Sequence, residues 1–293
     1  MLNHYKIGPE FSKDDMRALI ESGLKKDIHM HTCYSDGALT PEEVLDMRVG
    51  EGHKLLAITD HDGIDGSLRG LKHAEELGIN YISGIEFDSE DEIGKDMHML
   101  GYGFDPDNEE LKAALKGILD ERDDRNRRFM EALNKRGFGI TEQDVWEINE
   151  GRFVGKPSFA TVLRNKGIIK SKNEAFETIF REPDIRCIRK KTLPTEEVVR
   201  IIHAAGGLAV LAHPMEQRRK EESFEDFKPR MYRILDTIRE YGIDGIECHH
   251  PSADRVQQEL LVAYAKEYGL MVTKGSDFHT LYDVRNFKRY HRP

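Results

Sequence analysis

Asp27-Ile28-His29-Met30-His31-Thr32-Cys33-Tyr34-Ser35-Asp36-Gly37 is the stretch on which the reading of this chain turns. Together with Lys26, its first half reads as a short strand. Side chains alternate along a strand, so His29 and His31 share one face while Ile28 and Met30 take the other. Thr40-Pro41-Glu42-Glu43 follows, supplying an N-cap, a first-turn proline and an acidic third position, and opens a helix towards Gly50. Strand then helix is therefore the local unit, and it recurs. Residues 55–58 read as a second strand, 67–77 as a helix stopped by Gly78, and 81–85 and 97–102 as further strands. Later, helical patterns over 194–205, 231–241 and 255–268 alternate with strands over 208–212, 244–247 and 270–273. Repeated βα units predict an α/β protein with a parallel sheet or barrel.

Between residues 105 and 191 the strand signal fades. Residues 109–136 read as one long charged helix ending at Gly137, with shorter helical patterns around Val145, Phe159 and Phe176. The expected division is a leading helix within 1–24 (capped by Ser12-Lys13-Asp14-Asp15), a first part of the barrel over 25–104, a helical insertion over 105–191 and a second part over 192–293. Charge follows this division. The 293 residues carry a net −10, yet residues 151–191 hold 11 basic and 4 acidic side chains, a balance of +7. The rest holds 33 basic and 50 acidic residues, a balance of −17. Such a chain is not a broad nucleic-acid binder, and no stable duplex binding is expected. No apolar run approaches the roughly 18 residues of a membrane span, and the N-terminus lacks a basic-then-apolar signal pattern. Three widely spaced cysteines make neither a disulfide framework nor a thiolate zinc site, so the expected location is cytoplasmic.

The informative pattern is what stands at the strand ends. Thr59-Asp60-His61-Asp62 ends the second strand and Gly84-Ile85-Glu86 the third; His98 lies between Met97 and Met99. Ala212-His213-Pro214, Glu247-Cys248-His249-His250 and Gly275-Ser276-Asp277-Phe278-His279 end the later ones. Carboxyl ends of strands are where βα-barrel enzymes build their sites. A lone histidine is ordinarily a hydrogen-bonded structural residue, and that reading suits His4, His53, His73, His203 and His291. It fails for a set. Six histidines and several carboxylates at one mouth would be costly to bury without cations, and a multinuclear metal site removes the cost. Imidazole plus carboxylate without thiolate suits Mn, Fe or Zn without choosing among them.

The segments DIHMHTCYSDG, ITDHDG, SGIE, DMHMLGY, LAHP and GSDFH, in that order, resemble the motif set of the PHP (polymerase and histidinol phosphatase) superfamily of metal-dependent phosphoesterases. The likeness covers about residues 27–280. It implies a distorted (β/α)7 TIM-like barrel carrying three divalent metal ions. By motif, His29, His31, Glu86 and Asp277 would hold one ion; Glu86, His98 and His213 a second; Asp36, His61 and His279 the third. Within the family, the aspartate of YSDG, the TDHD form and the long helical insertion are most similar to the branch acting on nucleotides, which includes nucleoside 3′,5′-bisphosphate phosphatases and 5′-to-3′ exonucleases.

The chemistry expected of such a site is hydrolysis of a phosphate ester by a water that loses its proton between two cations. The candidate catalytic side chains are Asp60, His61 and His250, the last as a proton donor to the leaving oxygen or a substrate contact, with a packing role as the alternative. The expected substrate is a phosphorylated small molecule or short oligonucleotide, and its anionic end needs protein cations. Arg152 and Lys156 in Gly151-Arg152-Phe153-Val154-Gly155-Lys156-Pro157-Ser158 are the main candidates, since glycines permit close approach and Pro157 begins a helix whose amide end attracts anions. Arg125 and Arg128 on the long helix are further candidates, although Asp123 and Asp124 beside them favour surface pairing. A phosphatase for a small metabolite such as histidinol phosphate is the principal alternative. Amidohydrolase chemistry is disfavoured because no lysine stands at a motif position to form a bridging carbamate. A non-enzymatic module is opposed by the complete ligand set.

Overall fold

The computed structural model describes residues 12–94, 96–149 and 153–280. The strands are β1 (Lys26–Asp27), β2 (Leu55–Leu56), β3 (Asn80–Tyr81), β4 (Gly84–Glu90), β5 (Met97–Tyr102), β6 (Leu193–Pro194), β7 (Leu208–Leu211), β8 (Gly245–His249) and β9 (Met271–Lys274). The helices are α1 (Lys13–Glu21), α2 (Pro41–Gly50), α3 (Asp65–Leu77), α4 (Glu109–Lys135), α5 (Glu142–Asn149), α6 (Lys156–Asn165), α7 (Lys172–Glu177), α8 (Pro183–Arg186), α9 (Thr195–Ala204), α10 (Phe224–Glu240) and α11 (Arg255–Glu267). Local chemistry sets several boundaries. Ser12 caps α1 by accepting from the Asp15 N–H, and Thr40 with Glu43 forms a reciprocal capping box on α2. Gly78 ends α3 in the left-handed conformation.

The strands form two sheets, one ordered β1-β2-β3 and parallel, the other β6-β4-β5-β7-β8-β9 and mixed. Among the described residues, no continuous ladder closes them into a ring. The sheets meet through isolated parallel bridges, Met30 to Phe278 on one side and His61 to Glu86 on the other. They nonetheless enclose one apolar interior: Ile28, Leu55, Leu100, Tyr102, Val210 and Met271 pack together, and Met16 and Ile20 of α1 join the same cluster. The Tyr102 hydroxyl donates across it to the Ile28 carbonyl at 2.8 Å. The architecture is thus the expected TIM-like α/β fold in interrupted form.

Two local expectations change. The repeated βα pattern predicts parallel strands, but β5 runs antiparallel to both β4 and β7. A six-residue connection from β4 is too short for the crossover a parallel pair needs. Helix α10 starts at Phe224 with Ser223 as its cap, ahead of the expected start at 231, and carries Pro229 in its second turn. Pro229 lies beyond the first turn and gives up one backbone hydrogen bond, but the helix continues through it, so it does not mark the boundary.

Phe129, Leu133, Phe159, Leu163, Phe180 and Ile185 form a separate hydrophobic cluster within the helical block. Leu111 and Ile118, from the first half of α4, belong instead to the core of the larger sheet with Ile202, Leu235 and Ile246. No helix among the described residues is long and apolar enough to cross a membrane.

Candidate metal centre

Strand alternation builds the centre. On β4, Ile85 and Phe87 enter the sheet core, which turns Glu86 and Asp88 to the opposite face. Glu86 is fully buried and central. Its Oε2 lies 3.1 Å from His31 Nε2, 3.3 Å from His29 Nε2 and 3.4 Å from His61 Nδ1. Its Oε1 lies 3.0 Å from both His98 Nδ1 and His213 Nε2. Asp277 Oδ1 faces His31 Nε2 at 3.1 Å and His29 Nε2 at 3.4 Å, and Asp36 Oδ1 faces His279 Nε2 at 3.2 Å. His98 stands near the start of β5. Because β5 is antiparallel, that start lies beside the carboxyl ends of its neighbours, which is how His98 joins the mouth.

Three sets of convergent ligand atoms that could hold a metal ion result: His29, His31, Glu86 and Asp277; Glu86, His98 and His213; and Asp36, His61 and His279 with His31. Two further sets had no counterpart in the motif reading, His61 with Asp88 and His98, and Glu216 with His250 and Asp277. Buried ligand atoms without hydrogen-bond partners mark the same place: His61 Nδ1, Asp88 Oδ1, His213 Nδ1 and His250 Nε2. His61 Nδ1 and Asp88 Oδ1 approach to 2.9 Å. Imidazole nitrogens and carboxylate oxygens that converge in one buried volume are what ligands of a cation present, so the residues fit such a group. Burial opposes the charged form of His31, but hydrogen bonds with Asp277 and Glu86 outweigh it and raise its pKa to about 9. Burial likewise opposes ionisation of Glu86, yet His29, His61 and His98 hold its carboxyl well below the usual carboxylate range.

The surrounding residues fix these side chains. Glu247 is buried, faces His29 Nδ1 at 3.0 Å and accepts from the His213 backbone N–H at 2.9 Å. A carboxylate behind a histidine sets which ring nitrogen faces a metal. Gly275 is required by packing: a Cβ there would lie 2.1 Å from that of His29 and 2.5 Å from Glu247 Oε1. Asp62, His213 and Asp277 have φ of 53°, 23° and 50°, backbone states that L residues rarely adopt and that cluster at functional sites.

The remaining site residues separate. Asp60 lies outside the ligand sets: its carboxylate accepts from Thr32 N, Thr32 Oγ1 and Ser35 Oγ at 2.6–2.7 Å and so braces the loop after β1. His250 Nε2 lies at the rim, 3.4 Å from Asp277 Oδ2. Arg125 is buried with Nη1 unpartnered; burial and neighbouring Arg122 lower its pKa to about 10. Lys156 is partly buried, its ammonium 5.9 Å from the centre of the Phe129 ring. Burial, Arg125 and Arg189 lower its pKa. Arg128 is exposed and bound to Asp124 at 2.7 Å, which makes it an ordinary surface pair. Arg152, His4 and His291 lie outside the described residues. His53, His73 and His203 have partners away from the centre: the Arg48 carbonyl, Asp46 and Asp244.

A mixed α/β scaffold with histidines and carboxylates converging at its strand ends defines the class of metal-centred hydrolases. The PHP domain model matches residues 27–274, and the chain belongs to that family. It is 28% identical over 255 residues to a 5′-3′ exoribonuclease of Haemophilus influenzae, covering 87% of this chain and 90% of that protein. It is 29% identical over 254 residues to a 3′,5′-nucleoside bisphosphate phosphatase of Chromobacterium violaceum, covering 86% of each. A crystal structure from Bifidobacterium adolescentis, described as a metal-dependent phosphoesterase, superimposes with a TM-score of 0.74 at 29% identity, covering 93% of this chain and 98% of that one.

Proposed function

We propose that this PHP-family hydrolase cleaves phosphate esters of nucleotides, with a 3′,5′-bisphosphate nucleotide or the 5′-phosphorylated end of a short RNA or DNA as substrate. The observation that supports the reading is the convergence of ligand sets around Glu86, together with Arg125, a buried cation whose Nη1 has no hydrogen-bond partner and which interacts electrostatically with Asp88 and Lys156. The first arrangement suits the ester being cleaved; the second suits another phosphate of the same substrate. The names of the relatives from Haemophilus and Chromobacterium support the same class.

In this reading the centre holds three divalent ions, Mn, Fe or Zn, which when bound would neutralise phosphate oxygens and supply activated water. His29, His31, Glu86 and Asp277 hold one, Glu86, His98 and His213 another, and Asp36, His61 and His279 the third. Glu247 keeps His29 Nε2 turned to the centre. His250, whose Nε2 is unpaired beside Asp277, carries a proton to the leaving oxygen. Arg125 of α4 and Lys156 at the start of α6 receive the second phosphate. A cytoplasmic location belongs to the same proposal.

The test is a substrate panel on metal-reconstituted protein: nucleoside 3′,5′-bisphosphate, 5′-phosphorylated short RNA and DNA, 5′-hydroxyl controls and histidinol phosphate. Turnover of the phosphorylated nucleotides is expected. Turnover of histidinol phosphate alone overturns the reading.

A further inference from the structure

Asp88 is absent from every motif that carries the family resemblance, yet two ligand sets meet at it. It follows Glu86 by two residues on β4 and shares its face. Its Oδ1 lies 2.9 Å from His61 Nδ1 and 3.5 Å from His98 Nε2. These are the ring nitrogens opposite the ones that the two histidines turn elsewhere: His61 Nε2 towards Asp36, and His98 Nδ1 towards Glu86 and His213. One carboxylate oxygen therefore stands behind members of two different sets. The other oxygen is held from outside the barrel. Lys190, on the segment leaving the helical block, places Nζ 2.7 Å from Asp88 Oδ2 and also contacts Asp62. Asp62 accepts from Arg122 of α4 at 2.8 Å and, through Oδ1, from the Asp88 backbone N–H at 3.0 Å. Lys190 and the Arg122 guanidinium are largely shielded from solvent, their side chains 14% and 9% exposed, so the attraction is less screened than at an open surface.

We propose that Asp88 is a positioning residue that orients His61 and His98 together, and that Lys190 locks it in place, coupling the seating of the helical insertion to the geometry of the centre. This rests on the metal-centre reading above but not on the identity of the substrate. Carboxylates behind metal-ligating histidines are worth about 10–100-fold in metal affinity when removed.

The experiment is a double-mutant cycle read by Mn2+ titration of metal-stripped full-length protein, with bound metal counted by elemental analysis. Asp88→Asn is expected to weaken Mn2+ binding by about 10–100-fold, and Lys190→Met by a smaller factor that Lys190→Arg restores. In the Asp88→Asn background, Lys190→Met should add little, because its effect passes through Asp88. Thermal melts of the stripped variants separate misfolding from ligand effects, and the Lys190 pair keeps the test decisive if Asp88→Asn does not fold. Wild-type Mn2+ affinity in Asp88→Asn, or full additivity in the double variant, overturns the proposal. If wild-type protein binds Mn2+ but turns over no member of the panel, the substrate reading fails and this one stands.

Discussion

Glu86 touches His29, His31, His61, His98 and His213, so no other side chain can take its place. Glu86→Ala is expected to abolish hydrolysis and to lower bound metal; undiminished turnover by the variant would refute the centre as the site of chemistry. Gly275 is the subtler case. A methyl group there would overlap His29 and Glu247, and neither can retreat, because both are buried and tied to one another. Gly275→Ala should cost about 1–3 kcal/mol of stability, as overpacking does, and displace His29. A urea midpoint below wild type together with reduced metal content checks this; an unchanged midpoint with full metal would show that the backbone yields.

Among the elements, α6 bears on substrate choice. Its first residue, Lys156, is partly buried beside Arg125 and Arg189; burial and these two charges lower its pKa against the opposing charge of Asp96. Lys156→Ala is expected to raise KM about tenfold or more for a bisphosphate or oligonucleotide, the loss of one charge-assisted hydrogen bond, and far less for a simple monophosphate ester. Steady-state kinetics on both classes decide it: equal effects would return Lys156 to the surface. At this scale the sequence was legible where periodicity and chemistry coincide. The spacing of His29 and His31 points to a shared face, although the regular strand stops at Asp27 and Met30 makes only an isolated bridge, and Thr40 to Glu43 declare a helix start. The direction of β5 was not legible, because an alternating run reads the same either way along the chain. Glu247 stood in view at a strand end but its pairing with His29 did not, and Asp88 and Lys190 were hidden: a carboxylate just past a motif, or a lysine in a basic run, looks like solvated surface until distant segments meet. Asp60, inside a motif, turns its oxygens to Thr32 and Ser35, contacts that only the folded chain reveals.

For the whole molecule, the net charge of −10 conceals an arrangement. Asp36, Glu86 and Asp277 are carboxylates gathered by the fold into one small volume, and divalent ions would offset them where formal counting does not. Chelation should therefore destabilise the protein by mass action, about 2.7 kcal/mol when free metal stands at 100 times its dissociation constant. For a chain of this size that corresponds to a fall in Tm of roughly 5–10 °C. Calorimetry before and after dialysis against a chelator measures it, and restoration on adding Mn2+ separates loss of metal from damage. An unchanged Tm would mean that the ligand set closes without ions.

Helix α4 has a consequence beyond its place in the insertion. Its 27 residues make a rod about 40 Å long, with Leu111 and Ile118 in the core of the larger sheet and Phe129 and Leu133 in that of the helical block. Two cores that share one helix cannot melt independently, because dissolving either removes a wall of the other. The chain should therefore unfold in a single cooperative transition, with equal calorimetric and van't Hoff enthalpies. An excised barrel lacking residues 105–191 should not survive as a folded protein. The helical block is thus thermodynamically continuous with the sheet core it shares a helix with.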